Sequence, residues 1–403
     1  MTIIRKKYNF FKTMITNDIK YIGVDDADLQ LFENQYALPA GMCYNSYLVI
    51  DEKIAIIDTT DRRKVDEWVD NLQKALGGRT PDYLVVQHME PDHSSGLLRA
   101  LELYPDLKLV ASAKAVQLMS LYFEGHNLEE KTIVVKEGDT LELGSHTLQF
   151  FSAPMVHWPE VIVTYDNKDN VLFSADAFGK FGVREADADD WACEARRYYF
   201  NICGKYGGPV QQLLKKAAAL EIKQILPLHG PILKGEAMAE ALRLYNIWAR
   251  YDVETPGIFI AYASIHGGTE AVALRLAEIL KGKGAPKVSV CNLAVDDQAE
   301  AIEDAFRMSH LVCCAASYDA GLFPPMHDFL HHLQIKAYQR RTVALVENGS
   351  WAPSAGRVMK EMFATMKDIT LVEPLITIKG RMHSDDEPKL EALADNLMGD
   401  FTT

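Results

Sequence analysis

From residue 258 onward the chain alternates strand-like and helix-like runs so regularly that few folds can accept it. Apolar runs at 258–263, 287–291, 310–315 and 342–346 are interleaved with helical patterns from 269 and at 297–307, 325–334 and 354–365. Short apolar runs read as strands buried on both faces, and connections of helix length are what parallel neighbours require. That half therefore predicts an open, doubly wound parallel sheet. Before residue 252 the rhythm differs: "NSYLVI", "KIAIID", "DYLVVQH", "TIVVKEG", "TLQFFS", "EVIVTY" and "NVLFSAD" share the chain with helices such as "KVDEWVDNLQKAL" and "PVQQLLKKAAAL". Strands that come in antiparallel clusters as well as in strand–helix pairs predict two sheets sandwiched between helices. Pro256 and Gly257 punctuate the change, which sets the expected domains at 1–254 and 255–403.

With 403 residues, 48% of them hydrophobic, the chain can bury more than one core. A formal net charge of -14 with only short basic runs argues against a nucleic-acid partner. The start, "MTIIRKKYNFFKTMITNDIK", is basic and aromatic without an apolar h-region, and no run of about 18 apolar residues occurs. The expectation is a cytoplasmic protein with no membrane segment. Cys43, Cys193, Cys203 and Cys291 are scattered, and Cys313 and Cys314 sit together in an apolar strand, so all six read as reduced thiols.

The densest chemistry lies in "QHMEPDHSSG", residues 87–96, which packs His88, Glu90, Asp92 and His93 into six positions. The segment joins the end of the strand "DYLVVQH" to the helix "SSGLLRALELY", a place where a scaffold can aim side chains into one pocket. His157, Asp176 and His229 stand in comparable places, each at the end of an apolar strand-like run. A lone histidine of this kind is more often a satisfied core residue than a ligand. Four imidazoles and three carboxylates together are enough for two metal ions, with Asp176 the natural bridge. A zinc hydrolase of the metallo-β-lactamase kind would read His-x-His-x-Asp-His; Glu90 replaces the second histidine with a hard anionic oxygen, which suits iron or manganese at least as well as zinc. His93 is read either as a direct ligand or as a hydrogen-bond partner of one.

The second half carries a different signal. "AYASIHGGTEAVALRLAEIL" runs from strand through a small-residue loop into a helix, where Ser264, His266, Gly267, Gly268 and Thr269 offer hydroxyls and N–H groups to a phosphate. "AASYDAGLF" adds Ser317, Tyr318, Asp319 and Gly321 at a second strand end, and "VENGSWAPSAG" adds Asn348, Gly349, Ser350 and Trp351 at a third. Aromatic surfaces beside one phosphate site point to FMN rather than a dinucleotide. Residues 181–208 are expected to form part of the wall near the metal site, and Phe178, Tyr198, Tyr199 and Phe200 read first as core and second as a shield over that site.

Over essentially its whole length the chain resembles the flavodiiron proteins (A-type flavoproteins). The family's H-x-E-x-D-H motif matches His88, Glu90, Asp92 and His93, and its later ligands match His157, Asp176 and His229 within "HWPE", "FSADAFG" and "PLHGPI". The resemblance implies a metallo-β-lactamase-like domain followed by a flavodoxin-like one. One iron would be held by His88, Glu90 and His157, the other by Asp92, His229 and His93 if it ligates, with Asp176 between them. It further implies reduction of dioxygen to water, of nitric oxide to nitrous oxide, or both, and a head-to-tail homodimer, alone or paired into a dimer of dimers. Two flavin loops depart from the family: Ala315, Ala316 and Ser317 replace a Ser-Pro-Thr run, and "NGSWAP" replaces a Tyr followed by Gly-Trp. With no C-x-x-C a rubredoxin-like iron site is not expected, nor, with no room after residue 403, an NAD(P)H-oxidising domain, so a rubredoxin or a reductase is the expected donor. The rival readings are a zinc hydrolase, which has no use for a flavodoxin-like half, and an FMN electron carrier with a vestigial metal domain.

Overall fold

In the computed structural model, which describes residues 14–186, 190–399 and 401, the chain divides into two compact units. The first comprises Met1–Tyr199 with Gly208–Asn246, the second Phe200–Gly207 with Ile247–Thr403. The basic N-terminal run through residue 13, and residues 187–189 of the segment read as a wall, lie outside the described residues.

The first unit holds two six-stranded sheets. In one, Ile19–Tyr21, Tyr47–Ile50, Ile54–Ile57, Tyr83–Val86, Lys108–Ser112 and Thr132–Val135 lie side by side in chain order. In the other the order is again that of the chain: Thr140–Glu142, Thr147–Ser152, Ile162–Asp166, Val171–Phe173, Gln224–Leu226 and Leu233–Lys234. One core joins them: Tyr47, Ile57 and Val85 from the first sheet pack with Phe150, Phe173 and Leu226 from the second. Helices cover the outer faces because their apolar residues repeat at helical spacing. Val65–Leu76 buries Trp68, Leu72 and Leu76 on one stripe and stops at Gly77, whose left-handed backbone ends the helix. This is the metallo-β-lactamase-like sandwich.

The second unit is a parallel sheet with Val288–Asn292 at one edge, followed by Thr255–Ala263, Met308–Tyr318, Gln339–Asn348 and Lys367–Ile378. Numbered along the chain this is the 2-1-3-4-5 order of flavodoxin-like sheets, whose ligands bind beyond the carboxyl ends of the strands. The fifth strand and the closing helix Glu387–Gly399 extend the alternation read from the sequence. Pro374 explains why that strand is hard to read: proline interrupts a ladder and is tolerated only at a sheet edge or bulge, and here the pairing shifts register beside it, between Ala344 and Val346 of the neighbouring strand.

Candidate metal centre and flavin cleft

Four strand ends of the first unit converge. Tyr83–Val86 leads into Gln87–His93, Thr147–Ser152 into His157, Val171–Phe173 into Asp176, and Gln224–Leu226 into His229. The motif loop is fixed by residues that carry no ligand atom. Asp58, fully buried, accepts the N–H of Gln87 (2.8 Å) and of His88 (3.3 Å) on one oxygen and the Gln87 side-chain amide (2.9 Å) on the other. Thr59 donates its hydroxyl (2.6 Å) and its N–H (2.9 Å) to the His93 carbonyl. Pro91 opens a single helical turn, Pro91–Ser94, so Asp92 and His93 stand on that turn rather than in extended loop. Gly96 follows because a Cβ there would lie 2.9 Å from that of Thr59.

All seven sequence-predicted ligands meet. His88, Glu90, His157 and Asp176 present atoms within 4.8 Å of one another, as do Asp92, His93 and His229. Asp176 faces both groups: its Oδ2 is 3.0 Å from His157 Nε2 and 3.5 Å from His88 Nε2, while its Oδ1 is 3.2 Å from His93 Nε2 and 3.8 Å from His229 Nε2. His157 Nε2 is also 3.0 Å from Glu90, and His229 Nε2 is 3.4 Å from Asp92 and 3.1 Å from His93 Nε2. His93 thus points its ring nitrogen into the second cluster at the same range as His229.

Outer partners fix the tautomers. His88 Nδ1 donates to Glu160 Oε1 at 2.7 Å and His229 Nδ1 donates to the Cys43 carbonyl at 2.7 Å, which leaves both Nε2 lone pairs facing inward. Lone pairs, carboxylates and burial together need a cation. Burial opposes charge on His157, yet the adjacent Asp176 and Glu90 carboxylates outweigh it and lift the imidazole to about 9. Burial, reinforced by repulsion from Glu90 and Asp176, pushes Asp92 up to about 8. On Glu90 burial is outweighed by hydrogen bonds from His157 and His88, which hold it below the usual range. These protons occupy positions a metal would take, since ligands bind metal only after losing them. Neither oxygen of buried Asp92 receives a hydrogen bond, an arrangement costly for a carboxylate unless a cation meets it. The donor set therefore fits two metal ions with a carboxylate between them.

Aromatic rings close one side. Phe32, Tyr44 and Tyr198 lie 5.6, 6.1 and 5.6 Å from the His229 ring, centroid to centroid. Of the four aromatics read from the sequence, Tyr198 makes this contact. Phe178 and Tyr199 pack on Tyr245, and Phe200 stacks on Phe306 in the second unit at 4.3 Å.

At the carboxyl edge of the second unit's sheet lies a cleft of about 510 Å³. Of the sequence-predicted flavin residues, Ser264, His266, Gly268, Thr269, Ser317, Tyr318, Asp319, Asn348, Gly349, Ser350 and Trp351 line it. Gly267 sits behind, ahead of the helix Gly268–Gly282 with a left-handed backbone (φ 80°) and its N–H on the Ser264 hydroxyl. Gly321 pairs with Tyr318 instead of facing the cleft. The helix N-terminus points N–H groups and the positive end of its dipole at the cleft, and Trp351, 92% exposed, and Tyr318, 45% exposed, give it bare aromatic faces. Gly268 must be glycine: a Cβ would fall 2.2 Å from the Gly380 carbonyl. Gly380 itself lines the cleft and was hidden with the unread fifth strand; the Asn348 side chain ties it down through its Nδ2 (3.1 Å) and Oδ1 (2.9 Å). Small residues, free N–H groups and exposed rings fit one phosphate and one planar ring system.

A sequence profile described as "ODP family beta lactamase" matches residues 42–230. An anaerobic nitric oxide reductase flavorubredoxin of Vibrio vulnificus is 27% identical over 388 residues, 94% of this chain and 77% of that protein. A variant of the flavo di-iron protein of Thermotoga maritima superposes with a TM-score of 0.86 at 26% identity over 95% of this chain and 96% of that one. The rubredoxin:oxygen oxidoreductase of Desulfovibrio gigas gives a TM-score of 0.89 at 24% identity, over 97% of this chain and 100% of that one. No helix among the described residues is long and apolar enough to cross a membrane.

Proposed function

The chain belongs to the flavodiiron proteins, and from that premise we propose that it is an oxidoreductase reducing dioxygen to water, nitric oxide to nitrous oxide, or both, at a non-haem diiron centre served by FMN. The observation that carries the reading is Asp176, whose two oxygens face two separate ligand groups, one of which contains Glu90 where a hydrolase would have histidine. His88, Glu90 and His157 would hold one iron, Asp92, His93 and His229 the other, and Asp176 would bridge. The chemistry such groups would supply, when held, is electron transfer from a donor through FMN to gas at the iron pair. The protein's own work is different. Glu160 and the Cys43 carbonyl keep His88 and His229 in their metal-ready tautomers, Asp58 and Thr59 hold the motif loop still, and Phe32, Tyr44 and Tyr198 exclude water beside His229.

On this reading residues 1–254 form the diiron domain and 255–403 the FMN domain, and the protein works as a cytoplasmic head-to-tail homodimer with a rubredoxin or a reductase as donor. The names of two relatives, a nitric oxide reductase flavorubredoxin and a rubredoxin:oxygen oxidoreductase, support this choice of substrates and donor. Six free cysteines, five of them buried, suit a reducing compartment. Metal analysis followed by anaerobic stopped-flow mixing of the reduced protein with each gas tests the proposal. Two irons and one FMN per chain with rapid reoxidation are expected; stoichiometric zinc with hydrolytic activity, and no reaction with either gas, would sink it.

A further inference from the structure

The two halves of the metal centre differ in what stands behind their histidines. Glu90 on one side is matched by Asp92 on the other, and Asp176 is shared. Behind His229 lies a neutral group, the Cys43 carbonyl, and His93 Nδ1 has no hydrogen-bond partner. Behind His88 lies a carboxylate: Glu160, 2% exposed, accepts the Nδ1–H at 2.7 Å.

We propose that Glu160 is a positioning residue that makes the His88, Glu90 and His157 half the tighter metal position and the one that better stabilises the higher oxidation state. The proposal rests on the diiron reading above. A charge-assisted hydrogen bond at this length draws the Nδ1 proton toward the carboxylate and leaves the imidazole a stronger donor at Nε2. The surroundings strengthen the effect, because a buried anion is poorly screened and acts on a nearby cation more than a surface one does. Glu160 Oε2 meets no donor, so Oε1 carries both of its side-chain contacts: the His88 ring and the Met89 N–H at 2.9 Å. Among the described residues no carboxylate is hydrogen-bonded to His229 Nδ1 or His93 Nδ1, and the buried Asp58 carboxylate acts on His93 through charge alone.

The Met89 contact means that Glu160 also braces the motif loop, and a test must separate bracing from charge. Glu160→Gln keeps an oxygen for the Met89 N–H and removes the charge; Glu160→Asp keeps the charge on a shorter arm. The full-length, FMN-loaded protein, stripped of metal, is titrated with Co2+ and followed by its visible absorption. Wild type should take two Co2+, one more tightly. Fewer than two would defeat the diiron reading itself. Glu160→Gln should weaken the tighter event by about 10- to 100-fold and move the other by less than about threefold. Both events unchanged, or both weakened equally, would overturn the inference and leave the diiron reading standing. In the iron-loaded protein, a redox titration followed by EPR should show one of the two iron steps moving to higher potential in Glu160→Gln, with the other fixed. If Glu160→Gln does not fold, Glu160→Asp decides: retention of the tight event within about tenfold supports a role for charge, and its loss overturns it.

Discussion

The metal centre and the flavin cleft solve opposite problems. In the first unit the ligand atoms belong to side chains, all of them buried except half-buried Glu90, and a second layer of Asp58, Thr59, Glu160 and the Cys43 carbonyl holds them in place. In the second unit the binding groups are largely backbone N–H groups, small residues and rings such as Trp351 that stand in solvent until something covers them. A site built from side chains concentrates unfavourable charge and is relieved by a cation. A site built from backbone carries little charge and depends on shape. The two should therefore fail differently, and independently.

The largest separation should come from Asp176→Ala. Removing the shared carboxylate leaves two cations facing each other without the anion between them, so affinity for at least one metal should fall by more than the ~10–100-fold typical of an outer partner. FMN content should stay at wild-type level. Metal analysis and flavin absorbance on one sample decide it; loss of FMN alongside the metal would show that the sites are not independent.

Gly268→Ala is the reciprocal experiment. The added methyl must displace the Gly380 backbone from 2.2 Å, and an overpacked contact of this kind costs about 1–3 kcal/mol. FMN should bind roughly 10- to 100-fold more weakly, as read by fluorescence titration, with two metals retained. Wild-type FMN affinity would show that the close approach of Gly268 to Gly380 does not shape the site.

That pair also explains what could be read in advance. His88, Glu90, Asp92, His93, His157, Asp176 and His229 were identifiable because histidine and carboxylate side chains announce themselves by type and by their place at strand ends. Gly380 was not, because it contributes a backbone and lies after a strand that Pro374 disguises. Glu160 and Asp58 are not legible for another reason: each is a single carboxylate among many, and only folding brings Glu160 to the far side of the His88 ring and Asp58 to the backbone of the motif loop. Phe200 shows a limit of proximity in sequence, since it follows Tyr199 directly yet belongs to the other unit.

Trp351→Ala sharpens the contrast at smaller scale. A side chain 92% exposed contributes little to folding, so unfolding of the FMN-free protein should change by less than about 0.5 kcal/mol. If the ring stacks on flavin, FMN binding should weaken by about 0.5–1.5 kcal/mol, roughly 2- to 13-fold. Unchanged FMN affinity would remove Trp351 from the site and leave Tyr318 as the aromatic surface.

The smallest effect belongs to a cluster that resembles the metal centre and should behave unlike it. His146, Asp166 and Asp169 also bring their ligand atoms within 4.8 Å. Here, however, the buried imidazole is already engaged on both sides, Nδ1 with Asp166 at 2.9 Å and Nε2 with Asp18 at 3.3 Å, and Lys168 reaches Asp18 at 2.6 Å. Asp169 Oδ2 lacks a hydrogen bond, as the Asp92 oxygens do, but cations of the protein's own already face Asp166 and Asp18, so the cluster should take no Co2+ beyond the two of the metal centre. Both nitrogens can donate only when the ring is charged. Burial opposes that charge, but the hydrogen bond to Asp166, its charge, and the bond to Asp18 outweigh burial and raise the His146 pKa. The sign follows from linkage: a folded value above the unfolded one, about 6.5, gives stability that is complete below pH ~6.5 and is lost as pH rises through the folded value. His146→Gln should therefore destabilise by on the order of 1 kcal/mol at pH 6, and the gap to wild type in urea unfolding should narrow at pH 9. A gap that widens with pH would overturn this sign, and a third Co2+ abolished by His146→Gln would mean that the cluster is a metal site after all.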